Sequence, residues 1–198
     1  GLVYLGGREA QNIGFHVRGS PLQSISRTFD LGSRGRDGDR VFLDGSVLEN
    51  KAFDARGRVT ENISRNFVIT GGDGSAAADR LFTDGVISSN EKLDAAGNVL
   101  ETSATNFTIK DGDGGKESQR FYTGGSKVSS SNFTPRGNAK DIVRRNFIFG
   151  DDGAKDEAKI TWTTGSISEN TYENLQGRIR EQTVRNFVIT GGDGVSAD

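Results

Sequence analysis

The sequence predicts an all-β chain: five tandem repeats of about 40 residues forming an antiparallel β-meander array, elongated or gently coiled. Three observations predict it. Sliding the chain against itself by 40 aligns RNFVITGGDG at 65–74, TNFTIKDGDG at 105–114, RNFIFGDDGA at 145–154 and RNFVITGGDG again at 185–194. Identical decapeptides 120 residues apart are therefore three steps of one unit. Within each unit apolar residues recur at even spacing, as in Val59, Ile63, Phe67 and Ile69, which is the period of a strand and not of a helix. Glycine, at 28 of 198 residues, interrupts any helical reading at short intervals.

The repeats are 1–38, 39–78, 79–118, 119–158 and 159–198, and together they form a single repeat domain. No gaps are needed. Gly45, Gly85, Gly125 and Gly165 hold the seventh place, and Gly57, Gly97, Gly137 and Gly177 the nineteenth. Asn66-Phe67, Asn106-Phe107, Asn146-Phe147 and Asn186-Phe187 hold places 28 and 29. Repeat one enters the same frame with Tyr4, Gly7, Gly19 and Phe29.

Residues 39–78 show what one unit builds. Arg40-Val41-Phe42-Leu43 is β-prone and runs into Asp44-Gly45, a dipeptide suited to a two-residue type I′ hairpin turn. A second strand then extends from Val47 to Phe53. Asp54-Ala55-Arg56-Gly57 recurs as DAAG, TPRG and NLQG, the pattern of a type I turn closed by a left-handed glycine. A third, longer strand covers Val59 to Thr70 and leads into the GGDG loop. The expectation is three strands per repeat, about fifteen in all.

Stacking the repeats as a parallel solenoid would bring Glu61, Glu101, Asp141 and Glu181 into one ladder and Arg65, Arg145 and Arg185 into another. Like charges directly opposed destabilise a sheet, which favours an antiparallel array with equivalent positions held apart. A five-bladed β-propeller is the alternative, because a repeat of about 40 residues is the size of a four-stranded blade. It requires the long strand to break near Ser64-Arg65-Asn66, where neither Gly nor Pro stands.

Apolar residues make up 32% of the chain, so a thick core is not expected. Regular placement of the apolar residues argues against disorder. A net charge of −2 with both signs interspersed indicates no nucleic-acid footprint. Without Cys there are no disulfides or thiolate metal sites. No apolar run approaches the length of a membrane helix, so no membrane insertion is expected. The chain opens at Gly1 without a signal-peptide pattern, as a mature or trimmed product would.

No catalytic signature is present. The lone His16 has no second His or Cys with which to share a metal and no G-x-S-x-G nucleophile to serve, so it reads as a surface or partly packed imidazole. No helix follows GGDG, and no phosphate-binding Lys-Ser/Thr stands behind it. No cofactor is expected, although Asp111-Gly112-Asp113-Gly114 and Asp151-Asp152-Gly153 place oxygen ligands on tight turns, the raw material of a Ca²⁺ site. Over four residues per unit these loops resemble the Gly-Asp nonapeptides of Ca²⁺-binding secreted toxins. They depart from that pattern where Ala76, Lys116 and Ser196 replace a second Asp. Phe53-Asp54-Ala55-Arg56-Gly57 resembles the F-D-x-x-G hairpin of bacterial cell-wall-binding repeats, without most of that family's pocket aromatics.

These readings lead to a non-enzymatic structural or adhesive protein of a cell surface or extracellular fibre. Repeat five ends in the interior-like RNFVITGGDGVSAD, while Leu2-Val3-Tyr4-Leu5 copies the first strand of a repeat. Such an end asks for a partner, which repeat one closing a ring, further repeats or the next molecule would each supply; self-association head-to-tail is expected, with Leu2, Val3, Tyr4, Phe187 and Ile189 as the assembly residues. The alternative is a lectin-like propeller whose aromatic column Tyr4, Phe42, Phe82, Tyr122 and Trp162 stacks on carbohydrate.

Overall fold

A computed structural model describes residues 5–31, 40–172 and 179–195. Ten strands follow one another: β1 (Gly6–Phe15), β2 (Pro21–Leu31), β3 (Arg40–Phe53), β4 (Val59–Ile69), β5 (Arg80–Leu93), β6 (Val99–Ile109), β7 (Arg120–Phe133), β8 (Ala139–Ile148), β9 (Thr161–Tyr172) and β10 (Ile179–Val188). Each strand pairs with its neighbours in sequence, giving one open ten-stranded sheet in meander order. The all-β meander expected from the repeat is the fold observed. The propeller alternative is not, because β2 pairs with β3 and β8 with β9 straight across repeat boundaries, leaving no separate blades. β4 also runs unbroken through Ser64-Arg65-Asn66. The described residues fall into two compact units, one drawn from Gly1–Ile87 and Phe107–Phe121 and the other from Ser88–Asn106 and Tyr122–Asp198.

The count of strands differs from expectation: among the described residues there are two per repeat, ten in all. Asp44-Gly45 makes no hairpin. It lies inside β3, and none of Gly45, Gly85, Gly125 and Gly165 has the positive φ that a type I′ turn requires. Steric room explains these glycines instead. A Cβ on Gly45 would lie under 3.0 Å from the Phe67 ring on one neighbouring strand and from the Ser26 carbonyl on the other. Gly85, Gly125 and Gly165 are pressed in the same way between a phenylalanine ring and the carbonyls of Ser64, Ala104 and Arg144. An aromatic ring laid over a strand glycine recovers packing that the glycine forgoes. The irregularity that does occur is a β-bulge just before it, where Thr28 faces Asp44 and Phe29 faces Phe42, so that Leu43 is the extra residue. Thr163 is skipped in the same way between Thr164 and Trp162.

The second turn forms as the sequence predicts at Gly57, Gly97 and Gly137, while Gly177 lies outside the described residues. Gly57, Gly97 and Gly137 take φ of 77°, 88° and 81°, and the Gly57 N–H donates to the Asp54 carbonyl at 2.9 Å. The Asp54 carboxylate accepts the N–H groups of Arg58 and Arg56, both at 2.9 Å, and these bonds hold its pKa below the ordinary carboxylate value. In repeat one the corresponding turn is closed by Gly19, and His16 stacks on Phe53 at 4.5 Å between ring centroids, a partly packed imidazole as expected.

The core is one-sided. Along β4 the residues Ile63, Arg65 and Phe67 are buried, and the register places Glu49, Val47 and Gly45 of β3 on their face. Asn62, Ser64, Asn66 and Val68 alternate onto the opposite face with Asn50, Leu48, Ser46 and Asp44. No helix among the described residues is long and apolar enough to cross a membrane.

Candidate functional site: the junction between repeats

Where one repeat meets the next, two rings and two guanidinium groups interlock. Phe29 meets Phe42 edge-on at 5.6 Å, with Arg27 over Phe42 at 5.0 Å and Arg40 over Phe29 at 4.5 Å. One repeat further on, Phe67 meets Phe82 at 5.4 Å, with Arg65 over Phe82 and Arg80 over Phe67 at 5.4 and 5.1 Å. Pairs of this kind contribute about 0.5–1.5 kcal/mol for ring on ring and about 0.5–2 for cation on ring. The last junction keeps Phe147 against Trp162 at 5.3 Å and Arg145 over Trp162 at 4.9 Å. Ile160 stands in the place of the second arginine there, and Phe149 packs against Phe147 at 5.3 Å.

Each GGDG loop folds over such a junction. Gly72 and Gly74 have φ of 56° and 68°, and the Asp73 carboxylate caps the bend by accepting the Ser75 N–H at 2.8 Å. Arg80 donates through Nε to the Gly74 carbonyl at 2.7 Å, which fixes the loop to the ring pair beneath it. The arginine of the preceding repeat completes the clasp. Arg27 donates to the Asp73 carbonyl at 2.8 Å and pairs with its carboxylate at 3.1 Å. Arg65 donates to the carbonyl and carboxylate of Asp113 at 2.9 and 2.8 Å and also pairs with Glu49. Arg145 does the same to Asp193, at 3.0 and 3.5 Å. Bonds from the Ser75 hydroxyl and N–H, with Arg27 beside them, pull the Asp73 pKa down to about 2.

Sequence reasoning missed this clasp, though a signal for it exists. Repeat three carries Thr105 in place of the arginine, and the next loop carries Gly153 in place of the aspartate, so both partners change together. The aspartate of that loop is displaced by one residue to Asp152, which binds the Ala154 N–H at 3.0 Å and Lys159 at 2.5 Å.

The aromatic column sits in these junctions. Phe42, Phe82 and Trp162 are half-buried with a guanidinium over the ring, and Tyr122 is buried against Phe149 at 5.9 Å. Leu2, Val3 and Tyr4, expected at an assembly edge, lie outside the described residues. Phe187 is on β10, and Ile189 follows it with its N–H bonded to the Thr163 carbonyl at 2.9 Å. Among the described residues no three His, Cys, Asp or Glu side chains gather as a metal site. The loop carboxylates named for Ca²⁺ bind their own backbone: Asp111 the Gly112 N–H at 2.8 Å and Asp113 the Gly115 N–H at 2.9 Å.

No protein-family model matches the chain, and no curated protein is similar to it.

Proposed function

We propose that this is a non-enzymatic structural or adhesive protein of a cell surface or extracellular fibre, in which the repeats supply length and the terminal strands supply assembly. One observation carries the reading: strands pair straight across repeat boundaries, β2 with β3 and β8 with β9, so that each repeat extends the sheet of the one before it. Arg65 and Arg145 keep 5% and 12% of their side-chain surface exposed beneath the next loop, and Phe67 and Phe147 are buried. A strand edge is a template for a further strand. Addition that is head-to-tail and does not close gives a fibre.

The carbohydrate reading has less support. A sugar ring stacks on an open aromatic face, and in this column Arg27, Arg65 and Arg145 lie over Phe42, Phe82 and Trp162.

Electron microscopy of negatively stained protein, with sedimentation velocity over a concentration series, tests the assembly reading. End-to-end oligomers that lengthen with concentration are expected. Single-chain particles at every concentration would overturn it.

A further inference from the structure

Eight Asp-Gly bonds occur in the chain, and seven of them lie among the described residues. At such a bond the chain can react with itself. The glycine nitrogen attacks the aspartyl Cγ, because the glycine carries no side chain to screen it. Where the fold holds the carboxyl decides whether the two meet.

Six of the seven carboxyls are held away from that reaction. Asp44 and Asp84 lie inside β3 and β5, strands paired on both sides. The loop aspartates reach past the adjacent nitrogen to the one beyond it. Asp73 accepts the Ser75 N–H at 2.8 Å, Asp113 that of Gly115 at 2.9 Å, and Asp152 and Asp193 those of Ala154 and Val195 at 3.0 Å. A cation then fixes each carboxylate: Arg27 on Asp73, Arg65 on Asp113, Lys159 on Asp152 and Arg145 on Asp193. Hydrogen bonds from Ser75, from the Gly115 N–H and from Lys159 hold Asp73, Asp113 and Asp152 below the ordinary carboxylate pKa. An ionised, paired carboxylate is a poor electrophile.

Asp111 differs on both counts. Its carboxylate accepts the N–H of Gly112 itself, at 2.8 Å, and among the described residues no cation pairs with it. It is also exposed, so water reaches it. The difference comes from the sequence: repeat three reads DGDG where repeats two and five read GGDG, so that Asp111 stands in the place of Gly71 and Gly191. Reacting groups held together in this way gain rate over groups held apart.

We propose that Asp111-Gly112 is a site of self-modification, where the chain closes to a succinimide and reopens as isoaspartate. The Gly112 nitrogen bonds to Asp111 Cγ, the C–O bond of the protonated carboxyl breaks, and the hydroxyl leaves as water with the amide proton. Water then opens the ring. Addition at Cγ restores aspartate, whereas addition at the main-chain carbonyl of Asp111 leaves the chain running through Cβ and Cγ, with its mass unchanged. The inserted carbon falls in the loop that Arg65 clasps through Asp113.

Protein kept for weeks at neutral pH and physiological temperature, labelled with an isoaspartyl methyltransferase and then digested, tests this. Electron-transfer fragmentation separates Asp111 from Asp113 within one peptide. Label at Asp111 is expected to exceed that at Asp73, Asp113, Asp152 or Asp193 by about tenfold or more. D111G, which rebuilds the GGDG loop of repeat two, is expected to fold and to lose that label. In urea the excess should vanish, since no fold then sets the distance. Absent label at Asp111 in the folded protein, even label across its loops, an excess that persists in urea, or equal label in D111G would overturn the proposal.

Discussion

Replacing Phe67 by alanine is expected to cost about 3–5 kcal/mol, the range for deleting a buried phenylalanine. Only 1% of its surface is exposed, and its ring fills the space over Gly45 while meeting Phe82 and Arg80. In a repeat array each unit is supported mainly by its neighbours, so the loss should appear locally. Native-state hydrogen exchange should show β3 and β4 opening more easily by this amount, with β9 and β10 unchanged. Phe187→Ala is the informative comparison, since it removes the same ring from the same place on β10, which among the described residues pairs with β9 alone. About 1–2 kcal/mol is expected there, because a ring left partly exposed gives up less transfer energy and leaves no enclosed cavity behind. Equal losses at the two positions would mean that the next repeat contributes nothing to the ring it covers.

A second large effect is expected at Gly45, where valine should destabilise by about 3 kcal/mol or more. The new Cβ would strike the Ser26 carbonyl and the Phe67 ring together, and a strand paired on both sides cannot move away from one without closing on the other. Gly45→Asn discriminates further. Asparagine tolerates a left-handed turn, so a hairpin at Asp44-Gly45 would accept it nearly without cost. In the middle of β3 it should be about as damaging as any other side chain. Gly191→Ala is the contrasting case, with nothing within 4 Å of the new methyl, and thermal melting should barely register it.

These two positions mark where the sequence was legible and where it was not. The long strand from Val59 and the turn closing at Gly57 were readable because each is set locally, by alternation along one strand or by four consecutive residues. Asp44-Gly45 misled because glycine has two uses, and turn chemistry reads only its tolerance of positive φ. Its other use, the missing Cβ, answers to partners on two other strands, Ser26 and Phe67, which a local reading does not see. The repeats themselves held the clue. The residue before this glycine varies through Asp44, Asp84, Gly124 and Thr164 while the glycine stays, as a steric demand requires and a turn dipeptide does not. The arginine clasp was hidden for the same reason, since Arg65 and Asp113 lie 48 residues apart and meet only once the next repeat is in place.

The account of the fold rests on β3 passing straight through Gly45 between two partners. Nuclear magnetic resonance of the isotope-labelled protein tests this most directly, through the Overhauser contacts of the Gly45 α-protons. Simultaneous contacts to Arg27 on one side and Phe67 on the other are predicted, with couplings typical of extended backbone. A left-handed Gly45 whose contacts stop at its immediate neighbours in sequence would contradict it.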